Sequence, residues 1–542
     1  MTAILTMGAA MVGTASGTNT ITGGSAADVI IGDADDTTNI DGGAGNDNIT
    51  GGSDAETISG GAGNDTIDGN DGVDTLNGGE GNDSITGGTG NDTINGDAGN
   101  DTIDSEAGTD TINGGAGNDT INMDSDLTFG DVVNGGDGTD VLAMDSAATA
   151  ATANSVTNIE TLRLDTGGLT QDLSAFTATT LTRVDVGAGL TATFTNAAAT
   201  LTHIENSGET GTITFSRATD TAADSVTVVA TDDGASTTIT ALTAADKETI
   251  TLAAGDDASE DLTVTTLAAA DLTSLVLTGA GDVIITNAVA GSTAVTSVDA
   301  SGVAGVATVS VTNNVSAVTA TASTGTFTFT GGQGADTING GAGADTLAGG
   351  AGNDTINGGA AIDTISCGTG NDTIDGGAAA DVIDGGAGGD SLTGGAGVDA
   401  FTQTYGESVA ATAIVDASTG VAIAATVVLA VGDTITFGNG IDVYLDFVAG
   451  TSGDTINTLT AGAATSALGT AHDTLAAGDD IQFLSGSWNS STSTFTIAAD
   501  GAGADTLILD IEQSDSDDID TMTGAFVLVG VDSDDLVAGN FV

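Results

Sequence analysis

The chain has 542 residues, with 84 glycines, no proline and only 3% aromatic residues. Asp and Glu total 76 against 4 Lys and Arg, a formal net charge of −72. That balance excludes binding to a phosphate backbone, which needs clustered cations, and docking on anionic lipid by charge. Self-repulsion of this size opposes compaction unless counter-cations bind, so the composition predicts a cation requirement.

Length allows several domains, and a Gly-rich, Pro-free chain suits short strands joined by tight turns. The four cations, Arg163, Arg183, Arg217 and Lys247, all lie in one middle segment. The single cysteine, Cys367, rules out an intrachain disulfide framework. No run reaches about 18 uninterrupted apolar residues, so no membrane insertion is expected. Residues 1–22 form a lead segment whose opening "MTAILTMGAAMVG" lacks a basic start and does not read as an ordinary cleavable signal peptide.

Residues 23 to 143 form a first repeat block built on nines, interrupted at 123–134. Residues 42–122 hold one unbroken register of G-G-x-G-x-D-x-U-x, with U apolar. An outlying copy, GGSAADVII, precedes it at 23–31, and another, GGDGTDVLA, follows at 135–143. Each position has a task. The glycines permit positive φ and close approach, so six residues form a turn whose carbonyls face a common point. The x-U-x tail is a minimal strand sending one Ile or Leu inward. Two repeats make one coil, so Asp residues 18 apart stack. The expected columns are Asp47, Asp65, Asp83, Asp101 and Asp119, and beside them Asp74, Asp92 and Asp110.

Residues 144–330 shift to Ala, Thr and Val. Period-2 stretches recur there ("ETLRLD", "SVTVVAT", "ETITLAA", "DLTVTT", "SLVLTG", "ATVSVTN", "TFTFTGG") and predict short strands that continue a slim solenoid. Minor helix is expected near 152–162 and 241–247. The last strand runs directly into a second repeat block, 331–402. Its columns are Asp336, Asp354, Asp372 and Asp390, and Asp345, Asp363, Asp381 and Asp399. Residues 403–542 hold most of the aromatics, including Tyr405, Tyr444 and Trp488, and read as a compact β domain.

Stacked carboxylates repel unless a hard cation lies between them. Oxygen donors without imidazole or thiolate suit calcium. One buried Ile per nine residues offsets too little of the ordering entropy of the other eight, so the metal should supply folding energy as well.

The motif resembles the RTX, or haemolysin-type, calcium-binding repeat. The resemblance implies an all-β chain with parallel β-roll blocks holding several Ca2+ ions between turns, and export by type I secretion. It implies that the position-six Asp residues named above, with backbone carbonyls of the Gly turns, are the metal ligands. Glu56 in place of Asp, Ser105 and Glu106 in place of the Gly pair, and Cys367 in place of a leading Gly are departures where sites should be weak or empty. The tail "LVGVDSDDLVAGNFV" (528–542) is similar to the uncleaved C-terminal signal of type I substrates.

Familiar catalytic patterns are missing. His203 and His472 are the only histidines and neither sits in HExxH; there is no G-x-S-x-G elbow, and no Lys-bearing phosphate loop. The reading is therefore not an enzyme but a calcium-dependent structural protein, resembling RTX S-layer proteins of the bacterial surface. Its main partner would be other copies of itself, joined by calcium between acidic faces, with cell-surface polysaccharide as a second partner and no nucleic acid. The alternative is a secreted adhesin or biofilm-matrix protein whose 403–542 domain binds glycan. Ice binding through the position-seven threonines, and an unfamiliar carboxylate hydrolase, are further alternatives. Thr is also simply a good strand former.

Overall fold

The computed structural model describes residues 19–403 apart from short stretches at 33–36, 124–126, 154, 180, 188–189, 199–200, 208–210, 218–223, 231–235 and 245–246; outside that range it describes separate strands at 2–12 and 411–528. The expected secretion signal lies outside the described residues beyond Leu528. The chain divides into two compact units, Met1–Thr251 and Leu252–Val542.

In the first unit each strand pairs in parallel with the strand two further along the chain. Thr57–Ala62, Thr75–Glu80, Thr93–Ala98 and Thr111–Ala116 form one face. Asn48–Thr50, Thr66–Asp68, Ser84–Thr86, Thr102–Asp104 and Thr120–Asn122 form the other. This is the coil of two repeats that the spacing requires. The register puts like on like: Ile49, Ile67, Ile85, Ile103 and Ile121 stack in one column. Ile40, Ile58, Leu76, Ile94 and Ile112 stack in the other. All are buried, and these two columns are the core of the roll. A one-residue slip would turn every Ile outward, so the pleat fixes the register.

The roll runs on at both ends. Thr2–Ile4 pairs with Asn19–Thr22, and Ala10–Val12 with Val29–Ile31, so coiling begins ahead of residue 23. Val132–Asp137 pairs with Val156–Thr157, and Val141–Met144 with Thr161–Leu164. Ala/Thr-rich strands thus stack directly on the repeat coils. The expected helix near 152–162 shrinks to Ala150–Ala153. Of the one near 241–247, residues 241–243 are strand instead: Thr237–Thr243 pairs with Gly211–Arg217. Its Thr and Ile are β-branched and find a sheet edge to extend, which outweighs the local helix preference of the Ala, Lys and Glu that follow.

The second unit repeats the plan. Thr319–Ala322, Thr337–Gly341, Thr355–Gly359, Thr373–Ala378 and Ser391–Ala396 stack in parallel. Thr326–Thr330, Thr346–Ala351, Thr364–Gly370, Val382–Asp384 and Ala400–Gln403 do the same, aligning Phe329, Leu347, Ile365, Ile383 and Phe401. Pairing turns antiparallel further on, where Ile481–Asn489 joins Thr494–Ile497 and Asp505–Gln513, and the latter joins Ile519–Leu528. All seven strands expected in the Ala/Thr-rich region are present.

Candidate metal ladders

In many repeats two glycines are set by conformation. Gly61 and Gly63 have φ of 112° and 130°, the left-handed half of the map that a Cβ disfavours. At the equivalent second position Asn70, Asp97 and Glu106 also hold positive φ; Asn and Asp tolerate it better than other side chains do. The first glycine is set by space. A Cβ built on Gly42 would lie 2.6 Å from Asp47 Oδ2 and 2.6 Å from the Gly60 carbonyl oxygen. On Gly358 it would lie 2.6 Å from both Asp363 Oδ2 and the Gly376 carbonyl oxygen. A carboxylate oxygen of one coil and a carbonyl oxygen of the next therefore converge on one small space.

The position-six carboxylates form the ladders expected from the sequence, and none is more than 3% exposed. Within each ladder, one carboxylate oxygen binds the backbone of the coil before. Asp47 N–H donates to Asp65 Oδ1 at 2.7 Å, Asp65 N–H to Asp83 Oδ1, Asp83 N–H to Asp101 Oδ1 and Asp101 N–H to Asp119 Oδ1. On the other edge the chain runs through Asp74, Asp92 and Asp110. In the second unit Asp336, Asp354, Asp372 and Asp390 link in the same way, as do Asp345, Asp363, Asp381 and Asp399.

The second oxygen has a different fate. Among the described residues, Oδ2 of Asp47, Asp65, Asp74, Asp83, Asp92, Asp101 and Asp119 is buried without a hydrogen-bond donor. So is Oδ2 of Asp345, Asp354, Asp363, Asp372 and Asp381. A buried acceptor left unsatisfied is costly, and here the cost repeats coil after coil. Burial pushes Asp101 up to about 7, and Asp74, Asp110, Asp345, Asp354, Asp363 and Asp381 up to about 6, against the backbone N–H bond that pulls each one down. Asp47, Asp65, Asp83, Asp92, Asp119, Asp336 and Asp372 are raised for the same first cause. Without a counter-cation these groups favour a proton.

Sequence reasoning missed four members. Asp28 N–H donates to Asp47 Oδ1, Glu56 N–H to Asp74 Oδ1, Asp110 N–H to Asp131 Oδ1 and Asp119 N–H to Asp140 Oδ1. Asp28 and Asp140 are the position-six residues of the two outlying copies, which was the available signal. The segment 123–134 only lengthens a coil from 18 to 21 residues without breaking the ladder. Position five also has a role: Asn64, Asn82, Asn100 and Asn118 N–H each donate to the Asn Oδ1 of the coil before, at 2.8–3.0 Å.

Cys367 fills a first-glycine position and is wholly buried. Burial and the neighbouring Asp372, Asp354 and Asp390 push its thiol pKa up, which keeps it protonated and unreactive. Among the described residues no three carboxylate, imidazole or thiol side chains group together. The side chains alone therefore do not make a cage; a hard cation here would draw on the converging glycine carbonyls, a donor set that fits calcium.

A parallel roll whose turns place carboxylate and carbonyl oxygens in register is a calcium-binding repeat architecture. The family description "RTX calcium-binding nonapeptide repeat (4 copies)" matches residues 35–67, 50–85, 86–121, 330–365 and 368–400. The chain carries RTX calcium-binding repeats over those residues, and the repeats bind several calcium ions; such repeats are typical of secreted, extracellular proteins. No curated protein matches the chain. Among solved structures it is similar to the AlgE6R3 subunit of the Azotobacter vinelandii mannuronan C5-epimerase, at 22% identity, with 40% of this chain and 77% of that one covered and a TM-score of 0.13.

Proposed function

We propose that this is a calcium-dependent structural protein of the bacterial cell surface, an S-layer or similar extracellular assembly, with a non-enzymatic role. The observation that carries the proposal is the repeated buried Oδ2 without a donor in both blocks. The reading assigns those Asp residues, with the first-glycine carbonyls, as the calcium ligands. Bound calcium supplies positive charge to the ladders. The chain's own residues do the rest: Oδ1 ties each coil to the one before, the glycines keep the cradle clear, and the Ile columns align the strands.

Extracellular calcium modules bind at roughly 10⁻⁴–10⁻³ M. At cytosolic calcium the ladders stay empty and self-repulsion keeps the chain extended for export, with the 528–542 segment as the signal. Outside, binding drives folding by mass action. Even with each ladder filled, a chain of net charge −72 stays acidic, so further calcium between copies joins them into a lattice or filament, with surface polysaccharide as the second partner. The antiparallel strands of 481–528 differ from the roll and favour the alternative of a glycan-binding adhesin. Electron microscopy and circular dichroism of the full chain, with calcium and with EGTA, test both. Ordered assemblies that dissolve in EGTA with loss of β signal are expected. Unchanged signal and particle size would sink the proposal, and soluble monomers that bind glycan would favour the adhesin.

A further inference from the structure

The first roll hands over to the Ala/Thr-rich coils where Val141–Met144 pairs in parallel with Thr161–Leu164. That seam lies outside the residues that match the calcium-binding family, since the match stops at 121 and resumes at 330. The carboxylate ladder nevertheless crosses it. Asp119 N–H donates to Asp140 Oδ1 at 2.8 Å, and Asp140 N–H donates in turn to Glu160 Oε2 at 2.9 Å. Thr161 N–H binds the Asp140 carbonyl at 2.9 Å, just as Val141 N–H binds that of Asp119 at 2.8 Å. Glu160 therefore stands one coil beyond Asp140, in the place of the next aspartate. One coil further the column holds Thr182, whose N–H donates to the Glu160 carbonyl, so the carboxylates of this column end at Glu160.

Asp140 has the feature that marks the sites inside the block. Its side chain is wholly buried, and its Oδ2 has no hydrogen-bond donor. Gly135 faces it: a Cβ built there would strike Asp140 Oδ2 and the carbonyl oxygen of Asn158. The same construction on Gly42 meets Asp47 Oδ2 and the Gly60 carbonyl. At the seam the Asn158 carbonyl thus takes the place of a first-glycine carbonyl. Asn158 holds a positive φ of 51°, which Asn tolerates better than most side chains do. Its Nδ2 donates to Asn134 Oδ1 at 2.7 Å, which ties this turn to the coil before. A turn without the nonapeptide pattern therefore presents the oxygens of a repeat cradle.

We infer that the seam holds one more calcium ion, bound by Asp140 Oδ2 and the Asn158 carbonyl and balanced by the Glu160 carboxylate. The inference rests on the ladder carboxylates being calcium ligands. A buried carboxylate, a carbonyl and a second, half-buried carboxylate are hard oxygen donors of the kind calcium takes. Two of the three residues belong to the Ala/Thr-rich region, so the ion ties the first wider coil to the last repeat coil. Calcium then governs the docking of a coil that carries no repeat.

Native mass spectrometry of the full chain folded in calcium counts the ions, and hydrogen exchange reads the seam. Asp140→Asn keeps the Oδ1 acceptor for Asp119 N–H and removes the charge. It should carry one ion fewer than the parent, with faster exchange over 156–164 and unchanged exchange over 57–104. Glu160→Gln keeps an acceptor for Asp140 N–H on a half-buried side chain, so it decides the matter if Asp140→Asn does not fold; it should lose the same ion. Asp119→Asn, inside the block, should also lose one ion. An unchanged count in Asp140→Asn or Glu160→Gln, beside a lost ion in Asp119→Asn, overturns the seam site. So does a lost ion that leaves exchange over 156–164 as it was. An unchanged count in all three variants sinks the underlying ladder reading instead, so the two failures are distinguishable.

Discussion

Within the first unit, the repeat coils and the Ala/Thr-rich coils solve the same stacking problem with different means. In the repeats, successive buried positions Ile85, Ile103 and Ile121 are 18 residues apart and each short strand buries one side chain. Beyond residue 160, Leu162, Val184, Ile204 and Val228 stack at wider intervals of 20 to 24 residues. There several strands bury two apolar residues each: Leu162 and Leu164, Val184 and Val186, Ile213 and Phe215, Val226 and Val228. Apolar burial rises where the aspartate ladder stops. The repeat coil, with so little to bury, depends on cations, whereas the wider coil draws on the hydrophobic effect. The ion pairs Arg163–Asp165 and Arg183–Glu205 also lie in the second kind of coil.

Calcium removal should therefore separate the two kinds of coil, and this is the largest effect expected. Each filled site contributes about 2.7 kcal/mol when free calcium is a hundred times its Kd. Hydrogen exchange on the full chain should show amide protection collapsing over 42–143 and 331–402 in EGTA. Protection over Val184–Val228 should fall less. Equal loss in both regions would show that burial in the wider coils does not sustain them alone, and the distinction would fall.

Protons should partly substitute for calcium. Burial raises the ladder carboxyls, Asp101 and Glu56 to about 7 and several others to about 6. A group whose pKa is higher folded than unfolded stabilises the fold fully below its unfolded value, near 4. That stabilisation is lost as pH rises through the folded value. Metal-free protein should hence be most structured near pH 4 and lose β signal between about pH 5 and 7. With calcium present the direction reverses, because the ion and the proton compete for one carboxylate. A metal-free melting temperature that climbs from pH 4 to 7 would contradict the ladder's burial.

A smaller effect should follow from closing a single cradle. In Gly358→Ala the new Cβ would meet Asp363 Oδ2 and the Gly376 carbonyl, each at 2.6 Å. Overpacking of this kind costs about 1–3 kcal/mol. The variant should lose one ion by native mass spectrometry and melt lower in calcium. In EGTA, where that roll is already open, parent and variant should behave alike.

Much of this was legible in the sequence because the nine-residue register encodes both the coil and its inward Ile. The 18-residue column of Asp47, Asp65 and Asp83 follows from that register alone. Asp131 was not legible as a ladder member, since it lies inside the insertion at 123–134 that lengthens the spacing to 21, whereas position six of the copy at 135–143 pointed to Asp140. Which carboxylate oxygen is satisfied, and by what, depends on the stacking of one coil on the next. The nine-letter pattern describes one coil at a time, so the buried Oδ2 without a donor, repeated along each ladder, emerged only from the structure. The strand at Thr237–Thr243 was missed for a related reason: the pairing partner that stabilises it, Gly211–Arg217, is distant in sequence.

The smallest expected effect concerns the exposed asparagine ladder and tests whether the coil edge matters apart from the metal. Asn82 N–H donates to Asn64 Oδ1 at 3.0 Å, and Asn82 Oδ1 accepts from Asn100 N–H at 2.9 Å. Asn82→Ala keeps the first bond, which uses the backbone, and removes the second. Both groups are exposed, so water replaces the lost acceptor and the cost should be about 0.5–1 kcal/mol. Asp83, the next residue, keeps its ladder bonds to Asp65 and Asp101, so the ion count should not change. A denaturant midpoint shifted slightly at constant calcium loading is the expected result. A lost ion would instead mean that the asparagine rail positions the aspartates, and that the turn's outer edge and its buried carboxylates act as a single unit.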